Sequence, residues 1–131
     1  IIGTPEEVCR FFEMLLSGGV YEGRQVLHGR PIQRAVEKVV DLEIDRTLML
    51  PIPYSMGFML GSPVFGFYGP RTPRAYGHLG FTNVLSWADP DRDISCAMMN
   101  NGKPLLSTRY LFWFDVMRVI CTRIPRDRSL F

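Results

Sequence analysis

Two histidines, three cysteines and a run of alternating aspartates are the residues of this 131-residue chain best suited to chemistry. His78 stands in the stretch AYGHLGFTNVLSWADPDRDISCAMMNNG (residues 75–102), two residues before Gly80 and ahead of two apolar runs split by a turn. An imidazole can move a proton at a reacting group or simply open a hairpin. Function is argued from groups that converge, and the local sequence supplies no second group, so His78 alone reads as structural. His28 lies in a glycine-rich turn without a partner at metal spacing, and no metal site is expected. Asp89, Asp91 and Asp93 alternate as in a calcium loop, but the glycine at its sixth position and the glutamate at its twelfth are missing. They read as turn residues. Cys9, Cys96 and Cys121 form no C-x-x-C motif, and an odd count cannot close into a complete set of bridges. Buried free thiols are expected, which suits a reducing compartment and favours the cytoplasm.

The elements that must position these residues belong to a folded chain. Apolar residues make up 47% of it and charged residues 21%, with no long low-complexity tract, so the length fits one domain or part of one. The formal net charge is only +2. Arg118, Arg123, Arg126 and Arg128 gather near the end, but no recognisable nucleic-acid-binding fold accompanies them, and they read as a solvated basic tail. The most apolar segment, Leu105 to Ile124, contains Arg109, Asp115 and Arg118, whereas a membrane span needs about 20 nearly uncharged residues. The first residues lack the basic region and apolar stretch of a signal peptide.

Thr4-Pro5-Glu6-Glu7 is a helix start: Thr4 caps, Pro5 suits the first helical position, and Glu7 completes a capping box. Val8, Phe11, Phe12, Leu15 and Leu16 follow at helical spacing, and Ser17-Gly18-Gly19 stops the helix. Residues 20–30 read as a loop with a short extended piece over Gln25 to Leu27. A second helix is expected from Pro31, with Ile32, Ala35, Val36 and Val39 on one face, fading before Asp45. Tyr54 to Leu60 reads as a strand. Residues 61–75 read as a long loop, of the kind that often carries function. Thr82 to Ala88 and Ile94 to Met99 form a hairpin across Asp89-Pro90-Asp91-Arg92-Asp93. Leu105 to Ile124 reads as a helix with one narrow polar stripe, Thr108, Asp115, Arg118 and Thr122, and is expected to pack on more than one side. The fold class is α+β, an antiparallel sheet with flanking helices and a C-terminal packing helix.

GTPEEVCRFFEMLLSGGVYEGRQVL, YSMGFML and YGHLGFTNVLSWADPDRDISCAMMNNG, in this order and spacing, resemble segments of the serine β-lactamase-related superfamily. That group includes class C β-lactamases, D,D-peptidases and esterases. The likeness covers most of the chain and implies a partial β-lactamase/transpeptidase-like fold. It divides the chain into a helical part (1–45), a strand, loop and box segment (46–81), and a hairpin with its C-terminal helix (82–131). The family nucleophile sits in Ser-x-x-Lys, and none of Ser17, Ser55, Ser62, Ser86, Ser95, Ser107 or Ser129 has a lysine three positions later. A Tyr-x-Asn or Tyr-x-Ser box is also missing. Both motifs precede the matched region in the family, so the resemblance makes this chain a C-terminal part, with the nucleophile and any export signal upstream.

His78-Leu79-Gly80 occupies the place of the family's Lys-Thr-Gly or His-x-Gly box. The resemblance then implies roles. His78 tunes the protonation of the tyrosine and nucleophile. Gly80 lets substrate approach the strand, and the Phe81 N–H is an oxyanion donor. Leu79 replaces a threonine that helps hold a substrate carboxylate; it cannot donate a hydrogen bond, which favours a neutral ester. Phe65, Phe67, Tyr68 and Tyr76 suit an apolar acyl or alcohol group. The implied function is the C-terminal portion of a serine hydrolase, an esterase, inactive alone, without cofactor or metal. Its partners would be a small ester or amide substrate and the upstream segment of the same domain, with self-association of the isolated chain and no nucleic acid or membrane span. Two alternatives remain at this point: a non-catalytic binding or scaffolding module derived from the fold, and part of a β-lactamase or D,D-peptidase.

Overall fold

The computed structural model describes residues 3–45, 50–80, 84–100 and 110–126. Helix α1 spans Pro5–Leu16 and begins as its sequence demands. The Thr4 hydroxyl accepts from the Glu7 N–H at 3.2 Å, and the Glu7 carboxylate accepts from the Thr4 N–H at 2.7 Å. Phe12, Met14 and Leu15 are buried, while Phe11, expected in the stripe, is 45% exposed. Val20–Tyr21 (β1) and Arg24–Gln25 (β2) form a small hairpin in the segment read as a loop. Helix α2 runs over Gly29–Val36, starting two residues before Pro31, with His28 as its N-cap residue making no side-chain capping bond.

Three expectations are corrected here. The second helix stops at Val36, and Lys38–Asp45 is a strand, β3, on which Val39 is 63% exposed. The single strand expected over Tyr54 to Leu60 is instead two, β4 (Leu50–Ser55) and β5 (Met59–Leu60), joined by a tight turn. The long loop contains a hairpin of β6 (Phe65–Gly66) and β7 (Gly69–Pro70). β8 (Tyr76–Gly80), β9 (Val84–Asp89) and β10 (Ile94–Met98) follow, and helix α3 is described over Tyr110–Arg123. Residues 101–109, within the expected final helix and the turn before it, lie outside the described residues, as do Phe81 and Thr82.

The main sheet has the order β10-β9-β8-β5-β4-β3, antiparallel throughout. Its two faces carry separate cores, because side chains alternate along each strand. On one, Phe12 and Leu15 of α1 pack on Tyr76 and Ala88. On the other, Met117 of α3 packs with Ile52, Met59, Tyr68, Leu85 and Trp87. The result is the helix–sheet–helix layering expected of an α+β chain.

The Asp-rich turn between β9 and β10 is buried and bound by charge. Asp89 and Asp91 are wholly buried, and Arg92 nearly so. Arg92 donates to Asp89 at 2.6 Å, to the Ile124 carbonyl at 3.0 Å and to the Arg71 carbonyl at 3.2 Å. Arg126 and Arg74 pair with Asp91 at 2.5 and 3.4 Å. The turn thereby clasps the end of α3 and the segment before β8. Arg126 is thus part of this clasp rather than of a solvated tail, while Arg118 pairs with Asp115 at the exposed surface of α3 and Arg128 lies outside the described residues.

The two edges of the sheet differ. β3 is interrupted by two register shifts against β4, and such irregularities discourage further pairing. β10 pairs with β9 over five residues without a shift, its residues are Ile, Ser, Cys, Ala and Met, and no described strand covers its other edge. An unprotected edge recruits another strand. The isolated chain is therefore expected to form concentration-dependent assemblies in light scattering. A monodisperse, cooperatively melting monomer at high concentration would show that this edge needs no partner.

Candidate active site

His78 is exposed at the centre of β8, on the α1 side of the sheet. Tyr76, two residues earlier on the same face, is buried, with its ring 5.3 Å from Phe58 and 6.2 Å from Phe12. Ser86 of β9 is the register partner of His78. The imidazole Nδ1 lies 2.9 Å from the Leu79 carbonyl oxygen. A carbonyl only accepts, so Nδ1 carries the proton of that bond. Nε2 is the nitrogen left for other groups, accepting in the neutral ring and donating in the imidazolium.

β8 is paired on both edges only at its start. β5 meets it at Tyr76 and Gly77 and goes no further, whereas β9 follows it to Gly80. Beyond Gly77, the Leu79 N–H points to the Met59 sulfur at 3.4 Å instead of to a ladder carbonyl. His78, Leu79 and Gly80 thus line a strand edge with no strand partner on the β5 side among the described residues.

The two glycines of the segment serve different ends. A Cβ on Gly77 would meet the Ser86 carbonyl oxygen at 2.1 Å and Trp87 Cα and Cβ at 2.6 Å. Gly77 is required by the close approach of β9. A Cβ on Gly80 would meet only Val84, at 3.4 Å, an ordinary contact. Nothing internal demands glycine there, and the space it leaves opens on the unpaired end of β8.

The residues expected to contact substrate fall on two sides of the sheet. Tyr76, His78 and Gly80 share the α1 side. Leu79 packs on the core beneath α3, so its side chain does not accompany His78. Tyr68 is wholly buried, stacked 5.6 Å from Trp87 with its hydroxyl donating to the Met59 carbonyl at 3.0 Å. Phe65 and Phe67 lie 5.1 and 6.1 Å from Phe114 of α3. Tyr68, Phe67 and Leu79 thus belong to the core beneath α3 or pack against it, while the half-exposed Phe65 touches α3 at Phe114. Gly77 and Met59, which shape the edge, were not singled out from the sequence; the glycine preceding His78 was the available signal.

Burial removes the other reactive side chains from competition. It pushes the Tyr76 phenol up to about 12, so this hydroxyl stays protonated near neutral pH and is no base. It pushes the Tyr68 phenol higher than usual as well. Burial, with Cys9 nearby, raises Cys96, and burial likewise raises Cys121. Thiols shifted this way are poor nucleophiles. Among the described residues no group of three or more His, Cys, Asp or Glu side chains is arranged to hold a metal ion, and no helix is long and apolar enough to cross a membrane.

An antiparallel sheet between two helical layers, with a His-x-Gly strand left open at one end, agrees with a match to the Beta-lactamase family over residues 1–114. The chain belongs to the Beta-lactamase family. It is 22% identical over 121 residues to the Esterase/beta-lactamase LipL of Mycobacterium tuberculosis (strain ATCC 25618 / H37Rv), covering 91% of this chain and 27% of that protein. Among solved structures it is similar to a penicillin-binding protein homologue from Caulobacter crescentus, with TM-score 0.68, 32% identity and coverage of 79% of this chain and 28% of that one. A family VIII carboxylesterase shares the fold at TM-score 0.70 and 20% identity, with 91% of this chain and 32% of that one covered. The chain thus spans about a third or less of these Beta-lactamase-like proteins and has part of their fold.

The glycine contrast is testable in the full-length protein. Gly77→Ala is expected to cost about 1–3 kcal/mol or more through overpacking against β9. Gly80→Ala is expected to melt near the wild-type temperature. Calorimetry on the two variants decides; equal losses would show that Gly80 too is held by internal packing.

Proposed function

We propose that this chain is the C-terminal part of a serine hydrolase that cleaves esters through an acyl-enzyme, and that β8 is the strand against which the substrate lies. The observation that carries the reading is the unpaired edge of β8 at His78–Gly80 in a chain of this family. Names of its relatives, a carboxylesterase and an esterase/β-lactamase, support ester cleavage. The nucleophile is supplied by the rest of the protein, since no Ser-x-x-Lys occurs here. A partner for the open edge of β10 comes from that same upstream part.

The roles follow from geometry and chemistry. The Leu79 carbonyl holds Nδ1–H of His78, which presents Nε2 to the nucleophile and its base. The oxyanion that develops on the attacked carbonyl is assigned the Phe81 N–H as donor, together with the nucleophile's own N–H. Gly80 keeps the approach clear. Tyr76 and Phe58 form an apolar floor beside His78. The acyl group passes first to the nucleophile and then to water.

The missing Ser-x-x-Lys also favours a second reading, a binding module that has dispensed with catalysis. A fluorophosphonate probe separates the two. This chain is expected to remain unlabelled, and the full-length protein to be labelled once per active site. Labelling of a serine within residues 1–131 would sink the division of labour proposed here; no labelling of the full-length protein would favour the binding module.

In the full-length protein, His78→Ala is expected to lower kcat for a short-chain nitrophenyl ester by roughly 10²-fold, the low end for loss of a positioned proton-transfer group. His78 is exposed on its strand, so the melting temperature should hardly move. A wild-type kcat in this variant would remove His78 from the site.

A further inference from the structure

We propose that Met59 and His78 close the open edge of β8 to amide-bearing substrates, so that the site takes esters of simple aliphatic acids and discriminates against peptide-like ones. The inference deepens the esterase reading above and rests on it. A strand edge binds an extended peptide through its main-chain groups, one N–H and one C=O at every second residue. The ladder between β5 and β8 ends at Met59 and Gly77. Beyond it, Leu79 is the described residue of β8 that can offer such a pair. Its N–H points to the β5 side, whereas His78 and Gly80, one residue to either side, stand in register with Ser86 and Val84 of β9.

Both groups of Leu79 are already engaged, and by side chains. The N–H donates to the Met59 sulfur at 3.4 Å, and the carbonyl accepts from His78 Nδ1–H at 2.9 Å. Met59 is fixed in this place. It is buried in the core beneath α3, and its own carbonyl accepts from the buried Tyr68 hydroxyl at 3.0 Å. A thioether is a weak acceptor, but here it stands where a ladder carbonyl would otherwise meet the N–H. An amide laid along this edge would give up its water and find neither a donor nor an acceptor at Leu79. A polar group buried without a partner costs more than a made hydrogen bond returns. An aliphatic chain has no such group to lose. The selection therefore works by exclusion, with an unpaired polar group set against the wrong substrate.

The test uses the full-length protein and the nitrophenyl esters of pentanoic acid and of N-acetylglycine, chains of equal length that differ by an amide. With each rate taken relative to that of hydroxide, kcat/KM of the wild type is expected to favour pentanoate by about tenfold, within the range for an unsatisfied polar group. Met59→Leu keeps the volume and removes the acceptor. The Leu79 N–H is then free to meet the amide carbonyl, and the preference is expected to fall roughly fivefold, the worth of a single hydrogen bond. Circular dichroism melts establish that the variant is folded; if it does not fold, the wild-type ratio decides. A wild type that favours the N-acetylglycine ester, or a folded and active Met59→Leu with the wild-type ratio, overturns the inference and leaves the esterase reading standing. A labelled, folded wild-type protein that turns over neither ester overturns that reading, and the inference with it.

Discussion

The contact between Gly77 and β9 is the constraint on which the site depends. Only a residue without a side chain lets β8 lie where the Ser86 carbonyl and Trp87 come within about the length of two bonds of a would-be Cβ. That approach seats Trp87 against Tyr68 and the core beneath α3. It also fixes the phase of β8. Tyr76 and His78 must then face α1, and Leu79 must face α3, because successive side chains point to opposite faces. A slip of one residue would exchange the two sets. The exposed imidazole is therefore a consequence of sheet register and of packing on the opposite face.

The far end of the same strands is held by charge. Arg92 is buried with Asp89, to which its Nη1 donates, and it also donates from Nη1 to the Arg71 carbonyl and from Nε to the Ile124 carbonyl. Burial nonetheless pushes the Asp89 carboxyl above its ordinary range, with Arg92 pulling it back. Desolvation outweighs attraction, which is the usual account for buried ion pairs. The clasp therefore adds little net stability over an apolar substitute, while removal of one partner would leave a buried charge. What it supplies is position: one turn, one loop and one helix end are fastened at the end of β9 remote from Gly80. Among the described residues no such tie reaches the Gly80 end of β8, which suits the proposed role of that edge.

Local signals in the sequence located those elements whose chemistry is local. The capping box at Thr4, the stop at Ser17-Gly18-Gly19 and the turn at Asp89–Asp93 each carry their own hydrogen-bonding logic, and each is present. β3 and the β4–β5 hairpin were not legible because their existence depends on neighbours. β4 contains Pro51 and Pro53, which read as interruptions. Both lie at alternate positions, so they face one edge, and β5 pairs with β4 only at Tyr54. Proline is tolerated where an edge has no partner to lose. The same limit applies to the site. Motif order singles out His78 and Gly80 as candidates, but the face on which an aromatic residue lies is set by tertiary packing. Phe65, Phe67 and Tyr68 precede the box in sequence and yet belong to the core beneath α3 or to its flank.

These facts together divide the labour of the proposed site. A nucleophile needs an adjacent base or a lowered pKa, and the buried thiols and phenols here are shifted the wrong way for it. What this chain offers is an edge: an imidazole with one nitrogen already engaged and a glycine that internal packing does not require. Such groups stabilise charge and exclude wrong orientations, effects that cost no reorganisation when the scaffold is already set. They act only when a nucleophile is brought within a few tenths of an ångström of the productive position. The unprotected edge of β10 lies two strands from β8 in the same hydrogen-bonded sheet. A strand added there would be registered to His78 through β9 and β10, so the sheet itself is the ruler that aligns the two parts of the site.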